Sequence, residues 1–343
     1  MSNKPTSELT RDPIVWNEIR ICYVIPGEEA GSSMIFAKRD VEQIRRVGVS
    51  TKTFFLKTRT RPVLLAREWI RLRRELKLFQ PHIVHAHYGT MTGFVTVLTA
   101  AAPTVVTFRG AELNHELDIS LLREKAGRVL SLIAAVRASQ IVCVSDELKR
   151  RLWWCQNKVS VIPSSVDLGL FRLQERGDAR KTLGWEEDQS IVIFYKGRNP
   201  MTKRIDRALA TIDKAREMYG PIRLEVLDGS IDPVRVPLFL NAADCLLCTS
   251  DSEGSPNIVK EAMACNLPVV SVDVGDVRQR MANVENCYIR ARDPYDLANG
   301  LITVLRSHQR SNGRLHLAGV TNNVCRDQLL DLYRLVLSAN SLS

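Results

Sequence analysis

The sequence has no long apolar run. A bilayer span needs about 18 or more apolar residues in series, and the nearest candidate, residues 93–108, is broken by Pro103. The N-terminal string MSNKPTSELTRDP is polar and has no apolar signal core, so secretion is not expected. The eight cysteines fall at no regular spacing, which favours free thiols in a reducing cytosol over a disulfide framework. A P-loop, a dinucleotide GxGxxG and a nucleophilic triad are all missing, so NTPase and nicotinamide chemistry are not expected. Aromatic residues do not interleave with the basic ones, and nucleic acid is therefore not an expected partner.

What is present is ordinary globular composition. The 343 residues are 45% hydrophobic and 25% charged, a length that suits two domains. Charge is unevenly spread. Residues 1–165 hold 25 Lys/Arg against 15 Asp/Glu, while residues 166–343 hold 23 against 23. The formal net charge of +10 thus sits on the first half. A one-sided positive field suits a polyanionic partner such as an anionic membrane or a phosphorylated substrate, or simply a solubilising surface.

Short β-rich runs alternate with helical patterns along the whole chain. Strands are expected at 19–25, 51–56, 82–87, 104–108, 140–145 and 159–163, with helices at 34–47, 62–79 and 121–138 between them. A polar connector covers 164–178, and alternation then resumes. Further strands are expected at 190–195, 222–227, 244–249 and 267–272, with helices near 204–219, 256–264 and 294–306. This pattern predicts α/β architecture: two doubly wound, Rossmann-like domains facing across a cleft. The expected division is 19–165, then 172–324, then a helix over 325–339. Ligands of such sheets bind at the carboxyl ends of the strands.

The most informative string is SDSEGSPNIVKEAMACNLPVVSVDVGD, residues 250–276. A loop leads from a strand into a helix, with Ser255 expected as N-cap and Pro256 at the first helical position. The N–H groups of Asn257, Ile258 and Val259 would then lie unpaired at the positive end of the helix dipole, where a diphosphate can dock without a metal. Gly254 permits close backbone approach. Glu253 and Glu261 flank the same point, and carboxylates there suit sugar hydroxyls: one for a hexose, one for a ribose. Ordinary surface acids near a helix start would look the same by spacing alone.

Glu-x7-Glu within EGSPNIVKEAMACNLPVV closely resembles the donor signature of glycosyltransferase family 4, the retaining enzymes of GT-B fold. The segment YKGRNPMTKRID resembles the family stretch whose glycine, arginine and lysine are here Gly197, Arg198 and Lys203. The resemblance implies that Arg198 and Lys203 neutralise the donor diphosphate and act catalytically with Glu253. PGEEAGSSMIFAKRD resembles the glycine-rich first loop, which implies that Gly31 and Ser32 approach the sugar and phosphates. In VVTFRGAELN the family's usual sugar-reading histidine is replaced by Arg109, which is expected at the donor site, donating hydrogen bonds to the sugar or meeting an anionic acceptor, and the resemblance does not specify the sugar. Ser164 and Ser165 stand where the family connector has Asn-Gly. After Gly229 the chain is too short for the helix and strand usually inserted there. The compact form resembles bacterial exopolysaccharide and teichuronic-acid-type transferases. The implied chemistry is transfer with retention from a nucleotide-diphosphate sugar, UDP-linked, to a glycan or lipid-linked acceptor, with no metal or cofactor. Its setting would be the cytoplasm, at the inner face of the membrane. A catalytically silent relative acting as a binding or assembly subunit is the alternative.

Other signals carry less. Cys245 and Cys248 lie within one expected strand on opposite faces and read as core. His85 and His87 share a strand face and read as polar residues lining the cleft. Asp251-x-Glu253 imitates an acidic metal motif but belongs to the anion site. In helix 62–79 the apolar stripe Leu65, Trp69, Leu72, Leu76 and Phe79 faces the sheet, leaving Arg67, Arg71, Arg73, Arg74 and Lys77 for an anionic lipid surface.

Overall fold

The structure is a computed structural model that describes residues 15–31, 33–110, 112–114, 120–197 and 200–340. Six strands, β1 (Arg20–Pro26), β2 (Ser50–Leu56), β3 (Ile83–His87), β4 (Thr104–Phe108), β5 (Gln140–Cys143) and β6 (Val159–Val161), form one parallel sheet in the order β2-β1-β3-β4-β5-β6. Five more, β7 (Ser190–Tyr195), β8 (Ile222–Leu227), β9 (Cys245–Cys248), β10 (Val269–Val272) and β11 (Tyr288–Arg290), form a second parallel sheet in the order β11-β10-β9-β7-β8. The runs IVHAH, TVVTF, CLLC and VVSV are buried throughout. Helices cover both sheet faces, so these central strands need no polar alternation.

Each sheet has a point where strand order reverses. In the first, the chain goes from β1 to one side and returns to β3 on the other; in the second, β7 and β9 do the same. The loops after these strands diverge, leaving a crevice at their carboxyl ends. The loops named from sequence, 27–34, 196–203 and 249–256, are three of the four that flank the two crevices.

The expected helices at 62–79 and 121–138 are found as Pro62–Phe79 and Leu121–Arg137. Strand β11 was not expected, because three residues are too few for a periodicity to register. Helix Arg176–Leu183 begins in the last three residues of the stretch read as connector and runs on where no element was expected. Its anchor is an arginine: Arg180 is 1% exposed and donates to the Ala242 carbonyl and to Asp244. The last helix, Asn322–Asn340, packs on helix Ile35–Arg45 and on β3 of the first sheet. Tyr333 on this helix holds it there, bonding His85 Nδ1 at 2.6 Å and the Tyr23 hydroxyl at 2.9 Å.

Candidate functional site

A cavity of about 380 Å³ opens between the two sheets. Of the residues expected from sequence, Arg109, Lys203, Glu253, Gly254, Ser255, Pro256, Asn257, Ile258 and Glu261 line it. Gly31 and Gly197 sit in neighbouring turns, at φ +80° and +57°. Ser32 and Arg198 lie outside the described residues.

The anion end differs from expectation by one residue. The helix runs Asn257–Ala264 and Pro256 is its N-cap, so neither the Ser255 cap nor Pro256 as first helical residue holds. The Val259 N–H is bonded to the Pro256 carbonyl at 3.2 Å and its side chain is in the core. Val259 therefore offers no donor to a ligand. The N–H groups of Asn257 and Ile258 have no acceptor among the described residues, as expected of the first helical positions. The Asn257 side-chain Oδ1 is also buried without a partner. Ser255 is used elsewhere: its hydroxyl donates to Asp276 Oδ2 at 2.9 Å and accepts from Lys260 Nζ at 2.7 Å.

Both expected acids are paired with cations. Glu253 accepts from Lys203 and, at 2.8 Å, from the Ser250 hydroxyl. Burial pulls the Lys203 ammonium down, but Glu253 beside it overrides this and holds its pKa above the ordinary lysine value. Glu261 meets Arg39 of the first domain at 3.5 Å. Burial raises the Glu261 carboxyl, with Arg39 and Lys260 opposing. Asp251 is held by Arg204 and Arg207, each at 2.9 Å, and sits among guanidinium groups. No group of three His, Cys, Asp or Glu side chains is arranged to hold a metal among the described residues.

Gly254 packs directly against the backbone of the first domain. A Cβ built there would lie 1.9 Å from the Arg109 carbonyl oxygen and 2.9 Å from Val144 Cγ2. The glycine admits the backbone of the opposite domain, and Asn114 Nδ2 adds a bond to the Glu253 carbonyl at 3.3 Å. The backbone of Arg109 and Gly110 is tied down from within the first domain. Buried Glu112 accepts from the N–H groups of Arg109 at 3.1 Å, Gly110 at 2.8 Å and Gly89 at 3.2 Å.

Arg109 lines the cavity but is largely committed. Its guanidinium donates to Asp40 at 2.7 Å and to the Ser164 hydroxyl at 2.8 Å, lies 3.0 Å from His87 Nδ1, and stacks on Phe36 at 4.1 Å. Its Nε is buried without a partner. His85 and His87 are not cleft-lining residues, contrary to expectation. Both are fully buried, stacked at 4.7 Å, with His85 also bonded to Thr107 at 2.7 Å. Cys245 and Cys248 are buried in β9.

Sequence reasoning missed Arg39, Asp40 and Lys260, and placed Ser164 in the connector without assigning it to the site. The one available signal was Lys260 itself, a cation on the apolar stripe of IVKEAMA. Arg39 and Asp40 could not be assigned, because the first turns of the helix after β1 give no sign of what the other domain presents. The wall formed by Leu227 at the end of β8 and by Ile231, Pro233 and Val236 in the shortened region after it is brought to the cavity only by the structure.

Two family models match the chain in tandem: "Glycosyltransferase Family 4" over residues 31–170 and "Glycosyl transferases group 1" over residues 192–307. The chain is similar to TuaC of Bacillus subtilis, a glycosyltransferase named for teichuronic acid biosynthesis, at 27% identity over 64% of this chain and 60% of TuaC. It is 28% identical to a D-inositol 3-phosphate glycosyltransferase of Geodermatophilus obscurus over 50% of this chain and 46% of that protein. The matches thus span about half to three-fifths of these relatives' length. In fold it is similar to a sucrose-phosphate synthase from Thermosynechococcus elongatus, with TM-score 0.78, 17% identity, and coverage of 94% of this chain and 100% of that one. Anabaena HepE in complex with UDP and glucose gives TM-score 0.71 at 13% identity, with coverage of 92% and 99%. With its first half matched by the family 4 model, its second half by the group 1 model, and its two parallel sheets facing one cavity, the chain is a tandem of these two glycosyltransferase halves and has the GT-B fold.

Proposed function

We propose that this chain is a retaining glycosyltransferase that moves a sugar from a UDP-sugar to a glycan or lipid-linked acceptor in cell-surface polysaccharide synthesis. The observation that carries the reading is convergence in one interdomain cavity. Open N–H groups at Asn257 and Ile258, the Lys203 ammonium, and the Glu253 and Glu261 carboxylates all meet there. The diphosphate docks on the helix start and Lys203, and the family resemblance adds Arg198, which lies outside the described residues. Glu253 takes hydroxyls of the sugar and Glu261 those of the ribose. The Lys203–Glu253 and Arg39–Glu261 pairs then exchange partners as the donor enters, so each charge keeps a counterpart. The apolar wall of Leu227, Ile231, Pro233 and Val236 faces the base.

In the reaction the bond from the anomeric carbon to the diphosphate breaks, and the acceptor oxygen bonds to that carbon from the same face. The acceptor's proton passes to the departing diphosphate oxygen, so no protein base, metal or cofactor is required. The protein supplies stabilisation of the leaving charge and orientation, which contributes up to ~7–11 kcal/mol in favourable cases. TuaC, named for teichuronic acid biosynthesis, supports a cell-surface product. The UDP and UDP-glucose complexes of HepE support a UDP donor.

Helix Pro62–Phe79 supports a peripheral site on an anionic membrane. Leu72 and Leu76 are buried against the sheet, but the outer face is not purely basic. Val63, Ile70 and Leu78 are 70%, 71% and 68% exposed and alternate with Arg67 and Arg74 at helical spacing. Such a face seats apolar groups at the acyl boundary and cations at the headgroups. No described helix is long and apolar enough to cross a membrane. A lipid-linked acceptor would be met at that surface, on the cytoplasmic side.

The test is incubation with a panel of nucleotide sugars and a lipid-linked acceptor. Sustained UDP release with the anomeric configuration kept is expected. Nucleotide-sugar binding without turnover would refute the enzyme and leave a binding subunit.

A further inference from the structure

Among the described residues, most charged groups around the cavity form opposite pairs, and Lys260 does not. Lys203 meets Glu253, Arg39 meets Glu261, Arg109 meets Asp40, and Arg280 meets Asp276 at 2.9 Å. Lys260 is 1% exposed, and no carboxylate among the described residues lies within ion-pair distance of its ammonium. It donates instead to two neutral oxygens, the Ser164 carbonyl and the Ser255 hydroxyl, both at 2.7 Å. A buried charge whose carboxylate neighbours, Asp276, Glu261 and Asp40, all lie beyond ion-pair distance is only partly compensated, which is costly. The cost is offset when a charge of opposite sign arrives, and the ammonium stands directly behind Ser255, which lines the cavity.

We propose that Lys260 is a positioning residue for the donor's diphosphate, a buried cation whose counter-charge is the ligand. The inference rests on the proposed donor reading and adds to it. Lys260 does not line the cavity. It acts through Ser255 and through its charge, which the dry surroundings transmit across that one residue. Its second bond runs to Ser164, whose hydroxyl is held by Arg109. One side chain thus ties the anion loop to the connector between the domains, so that the loop is presented to the phosphates only when both domains are in register. The groups facing it are Asp276 and Arg280 from the segment after β10, Glu261 on its own helix, Cys325 on the last helix and Asp40 on helix Ile35–Arg45. Burial, opposed by Asp276, brings the Lys260 ammonium down to about 8. A ligand phosphate would raise it again.

The test compares binding of uridine and UDP to the full chain by calorimetry. In Lys260→Met, UDP affinity should fall by about tenfold or more while uridine affinity stays within twofold. Lys260→Arg, which keeps the charge, should restore most of the UDP affinity. Should Lys260→Met fail to fold, the wild-type protein still decides. Its UDP affinity should decline as pH rises through 8 toward 9, with uridine affinity flat, because UDP itself is fully ionised there. Equal losses for uridine and UDP, or no loss for either, would overturn the role of Lys260. So would a pH-independent UDP affinity in the wild type. Wild-type protein that binds no nucleoside diphosphate at all would instead overturn the donor reading beneath it.

Discussion

Replacing Gly254 by alanine tests whether the two domains must touch for catalysis. The added methyl would sit 1.9 Å from the Arg109 carbonyl oxygen, 2.8 Å from its carbon and 2.9 Å from Val144 Cγ2. Ordinary contact is near 3.5 Å, so the gap must open by roughly 1.5 Å. The obstructing atom is backbone, and Glu112 pins that loop through the Arg109 and Gly110 N–H groups. The strain therefore cannot be relieved by a side-chain rotation, and the domains themselves must part. Gly254 does not have a positive φ, so alanine brings no backbone penalty of its own. A misplacement of about 1 Å at a reacting centre can cost ~100-fold, equivalent to about 2.7 kcal/mol of barrier. We expect Gly254→Ala to lose about that much kcat/KM in a donor-release assay. UDP affinity should change little, because Asn257 and Ile258 stay in place, and the melting temperature should fall only slightly, because the methyl meets the first-domain core at Val144 alone. Turnover within twofold of wild type would show that the observed contact is not part of the working state.

Glu253→Ala is expected to abolish transfer while UDP binding largely survives, whereas Glu261→Ala should weaken UDP binding by about tenfold, the worth of a charged hydrogen bond; unchanged kinetics in both would remove the role assignment. Burial and then Arg109 hold His85 down to about 3, and His87 is depressed for the same reasons. The unfolded chain protonates these rings near 6.5, so the stability they contribute is complete above that pH and is lost as pH falls toward 3. The slope is up to ~1.4 kcal/mol per pH unit for each ring; urea unfolding from pH 7 to 4 should show it, and His85→Asn should make it shallower. Reversing Arg67 and Arg74 to glutamate should release the protein from anionic vesicles in flotation without changing turnover on a soluble acceptor. Equal recovery with anionic and neutral vesicles in the wild type would dismiss the membrane face.

The strand alternation, the facing sheets and the family were legible because local signals carry them. Runs such as TVVTF and SIVIFY, and the Glu-x7-Glu string, lie within single segments whose neighbours in sequence are also neighbours in space. The elements that escaped have no such signal. β11 is too short to show a period, and helix Arg176–Leu183 hides its anchor in a charged residue. The error at Ser255 has a similar origin. Serine before proline reads as a cap by local preference, but its hydroxyl finds Asp276 and Lys260, which local preference cannot foresee.

What the amino-acid order determined unaided was which loops end at a carboxyl sheet edge and that one of them, with Glu253, opens directly into a helix. Only the tertiary structure decided the partners of those loops. Lys203 with Glu253, Arg39 with Glu261, Gly254 under the Arg109 carbonyl and the unpaired ammonium of Lys260 all join segments that are far apart along the chain or lie in opposite domains. Periodicity and capping act over a few residues, whereas a charge or a contact acts through space, and the fold alone sets which distant groups it reaches.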